Sequence, residues 1–428
     1  MKKRWVLLRK VDTYDPAKLR EVVREGFEIY GQYPGGKVLI KPNVVFANKR
    51  YSNHAYTNPE LVGQVVDMVR ENGSARELTI GESSAFAVPG RLILEESGYY
   101  EMGKARNIDI VDLNEDPYVK IFLDKALYHK TMLCPRLIHE ADFKIWMPKL
   151  KYHICCEVTN ALKLNIGSLL HKERMLYHDD RLNDKIVDIL EVGYPDMVIS
   201  DAVIIGHGFE SCAKPFHLGL VMISNDPVAA DVVAAQILGY QPHEVHHLRK
   251  ASERGYGSID PESVEVLGDV TIEELAAKTS GIISEFQDMQ KLDTPIRFYE
   301  GIGPNTGEIC YGGCMAAVKG CLGTIDARRP GSMKKAKEGA IVTGIYEGDV
   351  DAGKGTALLL GDCTEVRGTI KAGKVKHFKG CPLGAVQLTG VIPFTFGMPS
   401  PLFDARDGWN FVTKSVQKGW NKLRNGAL

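Results

Sequence analysis

Over roughly its first 240 residues the chain alternates short apolar runs with segments of helical spacing, and this alternation restricts the fold more than any other feature. Strands that alternate with helices along a chain form mostly parallel sheets, because each parallel connection needs a crossover. The sequence therefore predicts the α/β class, with a doubly wound, mostly parallel sheet. Strand-like runs occupy 37–45, 77–84, 142–150, 196–206 and 219–226, and helical segments occupy 58–72 and 227–238.

A second, smaller α/β unit is predicted after residue 290. It contains a helical segment at 311–320 and strand-like runs at 339–348 and 356–364. We therefore divide the chain into a domain of residues 1–290 and a domain of residues 291–428. The boundary is soft, by about ten residues either way, because boundaries are the least precise part of such predictions.

The end of the chain has aromatic residues at loosely helical spacing. These are Trp409, Phe411 and Trp420. We expect this segment to pack back on the protein as a helix rather than to carry chemistry.

The composition is that of a globular protein without a polyanionic partner. The 428 residues are 44% hydrophobic and 25% charged, and the formal net charge is −1. Nucleic-acid binding needs a concentration of basic residues, which is absent, and no apolar stretch approaches 18 residues. The N-terminus also lacks the apolar core of a signal peptide. We therefore expect a cytoplasmic protein with neither a nucleic-acid nor a membrane partner.

Five of the nine cysteines crowd into the second unit, within 72 residues. A reducing compartment disfavours structural disulfides and favours metal ligation, catalysis or simple burial of thiols. The other four, Cys134, Cys155, Cys156 and Cys212, are scattered through the first unit. The crowded set is Cys310, Cys314, Cys321, Cys363 and Cys381.

Four of these thiols are placed to converge. Cys310 and Cys314 lie where a loop enters a helix, and Cys363 and Cys381 follow strand-like runs beside glycines. Three interpretations remain open: buried structural thiols, a zinc site, and a [4Fe-4S] cluster ligated by the four cysteines. Zinc knuckles usually pair two C-x2-C motifs, whereas here one C-x3-C accompanies two single cysteines, which favours the cluster. The role of Cys321 stays open.

The order C-x3-C, G-x-C and G-C-P resembles the proximal four-iron cluster site of hydrogenase small subunits. In that family a close cysteine pair, a G-x-C and a G-C-P-P hold one cluster in an α/β domain. The resemblance implies that Cys310, Cys314, Cys363 and Cys381 are the ligands. The present chain has one more residue inside the pair, and Leu383 stands where the family has its second proline.

The first unit resembles the family named domain of unknown function 362, many of whose members carry iron–sulfur modules. The resemblance implies an iron–sulfur-associated α/β protein, mostly of anaerobic metabolism, without implying one reaction. The bacterial-ferredoxin run C-x2-C-x2-C-x3-C, common in that family, is absent here. The matching segments, in order, are VLIKPNVV, TNPELVGQVVDMVRENG, TIGESS, NALKLNIGSLLHK, MVISDAVIIGHG and GLVMISNDPVAADVVAAQILGY.

Polar residues stand at or near the ends of several strand-like runs of the first unit. The carboxyl ends of parallel strands share one edge of a sheet, which is where α/β proteins bind ligands. We predict that six residues line one pocket, open towards the cysteines, that binds an anionic small molecule. His54, His153, His171 and His178 could add acid–base capacity. The six are Lys41, Asn43, Glu82, Lys149, Lys163 and Asp201.

These features together favour an iron–sulfur oxidoreductase or electron-transfer component. An electron-donor protein such as a ferredoxin is the expected partner, and a homodimer is an open alternative to a monomer. Two other functions stay open: a non-redox lyase that uses the cluster as a Lewis acid, and a non-catalytic protein that carries or donates a cluster.

Overall fold

The structure of the protein is a computed structural model that describes residues 3–84, 88–282, 285–400 and 405–425. Two α/β units follow each other along the chain, and each is built on its own largely parallel sheet. The predicted fold class is therefore confirmed.

The larger unit contains twelve strands in its described residues. Ten of them form one sheet, and β5 and β6 form a separate antiparallel pair. The strands are β1 (Trp5–Lys10), β2 (Gly35–Pro42), β3 (Ser74–Glu82), β4 (Asp109–Asp112), β5 (Tyr118–Phe122), β6 (Thr131–Pro135), β7 (Phe143–Met147), β8 (Lys149–His153), β9 (Glu157–Thr159), β10 (Met197–His207), β11 (Lys214–Ser224) and β12 (Glu265–Gly268).

The order in the large sheet is β12-β1-β11-β10-β7-β2-β3-β4, and β8 continues beside β10 with β9 as its neighbour. The run from β10 to β4 is parallel throughout. Strand β11 is antiparallel to both of its neighbours. Only residues 208–213 connect β10 to β11, and a connection that short can join antiparallel strands but cannot make a parallel crossover.

Helices cover both faces of the large sheet. Proline occupies the first position of α1, α2 and α10, where its missing N–H costs nothing, and an Asp or Asn before it caps the helix. The helices of this unit are α1 (Pro16–Tyr30), α2 (Pro59–Asn72), α3 (Gly90–Glu96), α4 (Tyr99–Arg106), α5 (Arg136–His139), α6 (Ala161–Leu164), α7 (His171–Arg174), α8 (Leu182–Asp188), α9 (Leu190–Gly193), α10 (Pro227–Ile237), α11 (His246–Glu253) and α12 (Ile272–Thr279).

Strand β10 shows why the sheet is buried on both sides. Val198 and Ala202 belong to the core formed with α6, α8 and α10, whereas Ile199 and Val203 belong to the core formed with α1, α2 and α4. Side chains alternate between faces along a strand, so a strand with helices on both faces must be apolar at every position. That is why the strands of this sheet appear in the sequence as uninterrupted apolar runs.

The smaller unit has a parallel four-stranded sheet in the order β13-β14-β16-β18. Ile341 and Leu358 on one face join the apolar core of the larger unit, while Val342 on the other face belongs to a separate small cluster. Its elements are β13 (Ile296–Glu300), α13 (Cys314–Arg328), β14 (Gly339–Glu347), β15 (Val350–Asp351), β16 (Thr356–Arg367), β17 (Ile370–Lys371), β18 (Lys374–Phe378), α14 (Ala385–Phe396) and α15 (Ala405–Asn425).

The two sheets lie on either side of the predicted boundary at residue 290. The last strand of the large sheet ends at Gly268, and the first of the small sheet begins at Ile296. That residues 1–290 and 291–428 are separate folding domains stays a prediction, since their cores are continuous. Among the described residues no helix combines the length and the apolarity that crossing a membrane requires.

Candidate metal centre and adjoining cavity

The smaller unit brings the four predicted ligand cysteines to one end of its sheet. Cys310 lies in the loop before α13, and Cys314 is the first residue of that helix. Cys363 lies inside β16, at an irregularity opposite β14, rather than just past a strand as the sequence suggested. Cys381 follows the end of β18 by three residues. The four cysteines therefore come from a loop, a helix start, a strand interior and the segment after a strand.

Glycines leave the space that these sulfurs occupy. A Cβ atom at Gly361 would lie 3.1 Å from Cys314 Sγ and 3.9 Å from Cys363 Sγ, and a Cβ atom at Gly313 would overlap Cys310 Sγ. The φ of Gly361 is +116°, a backbone conformation that other residues rarely adopt. The irregular segment of β16 at Gly361 therefore leaves space for two sulfurs, those of Cys314 and Cys363.

The thiols are close enough to influence one another's ionisation. Burial raises the pKa of Cys314 to about 11. The nearby Cys363 and Cys381 add to this rise, and a hydrogen bond from the backbone N–H of Leu383 opposes it. The pKa of Cys310 is raised by burial, by two nearby aspartates, and by Cys314 and Cys363. Four thiolates could coexist here only with a compensating positive charge, such as that of bound metal.

Whether these four cysteines hold a cofactor stays a prediction. The described residues contain no group of three or more His, Cys, Asp or Glu side chains arranged to hold a metal ion. Cys321 lies apart from the four: it is buried on α13, its Sγ is 3.8 Å from Leu388 O, and burial alone raises its pKa to about 12.

A segment of the larger unit fixes the loop that carries Cys310. The carboxylate of Asp180 accepts hydrogen bonds of 2.8 Å from the backbone N–H groups of Asn305 and Thr306 and from the Asn305 side chain. These bonds outweigh burial and lower the pKa of Asp180. His178 lies 2.7 Å from Gly312 O. Sequence reasoning missed Asp180, because nothing in HDDRLNDK indicates contact with a loop some 125 residues later.

A cavity of about 310 Å³ lies between the two units; none of the four cysteines lines it, but Gly313 and Pro382, the neighbours of Cys314 and Cys381, do. Polar side chains of the larger unit line one side, and the start of α13 and the segment after Cys381 line the other. The residues that matter for its chemistry are Asn43, Glu82, Lys151, His153, Thr159, Lys163, Arg174, His178, Glu210, Gly312, Gly313, Cys321, Pro382 and Leu383.

Three of the six predicted pocket residues line this cavity: Asn43, Glu82 and Lys163. Lys41 is fully buried behind Glu82, and its Nζ lies 2.5 Å from Glu82 Oε2. Whether any of these four binds a ligand stays a prediction.

The expectation that all six residues line one pocket is wrong for Lys41, which lies behind the lining, and for Lys149 and Asp201. The last two are register partners on β8 and β10, and Lys149 Nζ lies 2.9 Å from Asp201 Oδ2. Asp201 also accepts a hydrogen bond from Tyr14 and one from the backbone N–H of Asn58, at the start of α2. The two charges satisfy each other in a second buried cluster, away from the cavity lining.

Lys163 is the cation of the cavity without a fixed partner. The described residues form no hydrogen bond or ion pair with its ammonium group, although its charge acts to lower the pKa of buried Glu210. In contrast, buried Lys151 donates to Ala55 O at 2.7 Å and to Glu210 O at 3.0 Å, and burial lowers its pKa to about 7. Lys163 is therefore the amine best placed to bind an incoming anion.

The cavity also holds polar atoms with no partner. Asn43 Oδ1, Thr159 Oγ1 and Glu210 Oε2 are buried without a hydrogen bond. Burial raises the pKa of Glu210 and lowers that of His178 to about 4, so His178 is neutral at pH 7. Buried polar groups are normally hydrogen-bonded, and such a set of exceptions marks a site that a polar ligand would satisfy.

Comparison with known proteins finds a family model that matches part of the chain. Residues 38–236 match the family described as Domain of unknown function (DUF362), which is just under half of the chain. No curated protein matches the chain.

Two solved structures show a distant likeness. The lactate racemase apoprotein from Thermoanaerobacterium thermosaccharolyticum is 10% identical, with a TM-score of 0.34, over 80% of this chain and 70% of that one. A protein from Thermotoga maritima is 11% identical, with a TM-score of 0.35, over 78% of this chain and 71% of that one.

Proposed function

We propose that this chain, whose residues 38–236 belong to the DUF362 family, is an iron–sulfur redox enzyme that acts on an anionic small molecule held between its two α/β units. The observation that carries the proposal is the gathering of four cysteines beside a cavity lined by an unpaired lysine and unpartnered polar atoms. A redox centre and a polar binding site that adjoin each other are what such an enzyme needs.

Cys310, Cys314, Cys363 and Cys381 would hold a [4Fe-4S] cluster, which when bound supplies one-electron transfer. The first position of α13 opposes the rise that burial causes in the pKa of Cys314, because the N-terminus of a helix stabilises negative charge. Gly313 and Gly361 make room for the sulfurs, and Asp180 fixes the loop of Cys310. Each of these residues serves to preorganise the donor set.

The substrate side of the cavity would use Lys163 and Arg174 for charge. Arg174 is buried, and its guanidinium donates to Ser83 Oγ at 2.6 Å and to Leu169 O at 2.7 Å, so it is a fixed positive group. Lys163 is free to move to the ligand. Asn43 and Thr159 offer polar atoms, and Glu210, whose pKa is raised, could exchange a proton.

Electrons would enter from the surface near Cys381. Among the four cysteines Cys381 is exposed, Cys310 and Cys363 are half-buried, and Cys314 is buried. An exposed ligand leaves one side of a cluster accessible to a protein such as a ferredoxin. The same exposure favours the alternative of a protein that donates its cluster.

Substitution of Lys163 by alanine is expected to abolish anion binding without unfolding the protein, because no residue that the structure describes forms an ion pair with Lys163. In thermal-shift titrations with acetate, lactate and phosphate, at least one anion should raise the melting temperature of the wild type. The increase should grow with the anion concentration, because a ligand that binds the folded state stabilises it by mass action. Lys163→Ala should lose this stabilisation, whereas Lys104→Ala, an exposed lysine on α4, should keep it. A wild type indifferent to every anion would contradict the proposal.

Anaerobic purification tests the cofactor. The chain should be brown, with about four irons and four sulfides and an EPR signal on reduction, as expected for a thiolate-ligated cluster. A colourless preparation with stoichiometric zinc would overturn the proposed iron–sulfur cluster. Reversible one-electron reduction of the cluster supports the redox enzyme. A cluster spectrum that changes with substrate but without reduction supports the lyase, and transfer of the cluster to an apo-protein supports the carrier.

A further inference from the structure

Helix α15 (Ala405–Asn425) lies on the larger unit with its polar side turned inwards. Residues spaced by three and four along the helix share one face, and the inward face is made of lysine and asparagine. The contacts are Lys414 with Glu95, Lys418 Nζ with His171 Nδ1 at 3.0 Å, Asn421 Nδ2 with Glu115 Oε2 at 3.0 Å, and Asn425 Nδ2 with Glu115 O at 3.1 Å.

The opposite face is an exposed apolar stripe, with spacings of three, four, four and three residues. A surface helix of a globular protein normally buries such a stripe and exposes its polar face. Here the arrangement is reversed. The exposed fractions are 71% for Trp409, 54% for Val412, 58% for Val416, 71% for Trp420 and 62% for Leu423.

The composition of α15 indicates what covers the stripe. The helix has five basic residues and one acidic residue, and since Lys414 and Lys418 face the larger unit, Lys422 and Arg424 are the described basic side chains left to flank the stripe. It also holds two of the four tryptophans, placed three turns apart on the stripe. Coiled-coil seams favour aliphatic residues, whereas tryptophan beside lysine and arginine is typical of helices that lie at a bilayer surface.

We propose that α15 docks the protein on the surface of a bilayer that contains anionic lipids. The stripe defined by Trp409, Val412, Val416, Trp420 and Leu423 enters the headgroup region, and Lys422 and Arg424 remain at the level of the phosphates. The helix lies in the plane of the surface and does not span it. This inference is independent of the cysteines and replaces the sequence-based expectation that a membrane plays no part.

Vesicle co-sedimentation and tryptophan fluorescence test this proposal. The full chain should bind vesicles of phosphatidylcholine mixed with phosphatidylglycerol, and its emission should shift to the blue as Trp409 and Trp420 leave water. Trp5 and Trp146 are buried already and should contribute little to the shift. The variant Trp409→Gln/Trp420→Gln should bind at least about tenfold more weakly, because it removes most of the apolar area that inserts.

The matched control is Phe122→Gln, which removes an aromatic side chain of 70% exposure on β5, outside the stripe. It should bind as the wild type does. Lys422→Gln/Arg424→Gln should weaken binding to the anionic vesicles and reduce its sensitivity to salt.

Three outcomes would overturn the proposal. One is a wild-type protein that does not bind the anionic vesicles. Another is a double tryptophan variant that retains wild-type binding. The third is a lipid-free wild-type dimer that the tryptophan substitutions convert to monomer, which would show that a second copy of the chain covers the stripe.

Discussion

Replacement of Cys363 by serine is expected to reduce the iron content of anaerobically purified protein from about four atoms per chain to nearly none. Cys363 lies inside β16 close to Cys314, and the three other cysteines near it are already assigned as ligands, so none of them can replace it. The smaller unit should also lose stability, because binding to ligands from separated segments is coupled to folding. Iron and sulfide analysis, followed by chemical denaturation, measures both effects.

Cys134→Ser is the matched control for this experiment. Cys134 is a fully buried thiol on β6 of the larger unit, outside the set of four. Its substitution should leave the iron content unchanged. Cys321→Ser should also retain the metal; if it empties the site while Cys363→Ser does not, the assignment of ligands is wrong.

Substitution of Lys41 by methionine is expected to lower the free energy of unfolding by about 3–5 kcal/mol, the usual cost of removing one partner of a buried ion pair. Lys41 and Glu82 are both almost completely buried, and Glu82 would lose its only ion-pair partner among the described residues. Burial already raises the pKa of Glu82, and loss of the lysine would raise it further.

The pH dependence follows from that shift. A carboxyl group whose pKa is higher in the folded than in the unfolded state binds more protons when folded, so stability falls as pH rises above the unfolded value of about 4.3. The destabilisation of Lys41→Met should therefore be larger at pH 8 than at pH 5, when measured by urea denaturation at both values.

The double variant Lys41→Met/Glu82→Gln should recover much of the loss, because it removes the buried charge. Lys163→Met is a second control, since Lys163 has no ion-pair partner in the part of the chain that the structure describes and its substitution should change stability by less than about 0.5 kcal/mol. A Lys41→Met variant that loses under about 1 kcal/mol and shows no pH dependence would contradict the buried pair.

The sequence by itself determined the fold class and the order of the main elements. Strands covered by helices on both faces must be apolar throughout, and α2 and α10 begin at proline after a capping residue, so both features can be detected without a structure. The gathering of four cysteines was predictable for a similar reason. Cys314 and Cys381 stand at or just beyond element ends in the smaller unit, and parallel strand ends meet at one edge.

Only the tertiary structure decided which polar groups share a site. A polar residue at the end of a strand is predicted to lie at one edge of the sheet, but its position in the sequence does not predict which residue it contacts. Lys149 pairs with Asp201, 52 residues away, and Asp180 holds a loop 125 residues away, because register and packing bring them together.

The orientation of α15 was equally beyond the sequence. An amphipathic pattern gives a helix two faces, and a stripe of Trp and Val normally predicts the buried one. Lys414 and Asn421 instead face Glu95 and Glu115, and the stripe is left in solvent. Which face is buried depends on the charges of the surface that receives the helix, and that surface exists only once the larger unit has folded.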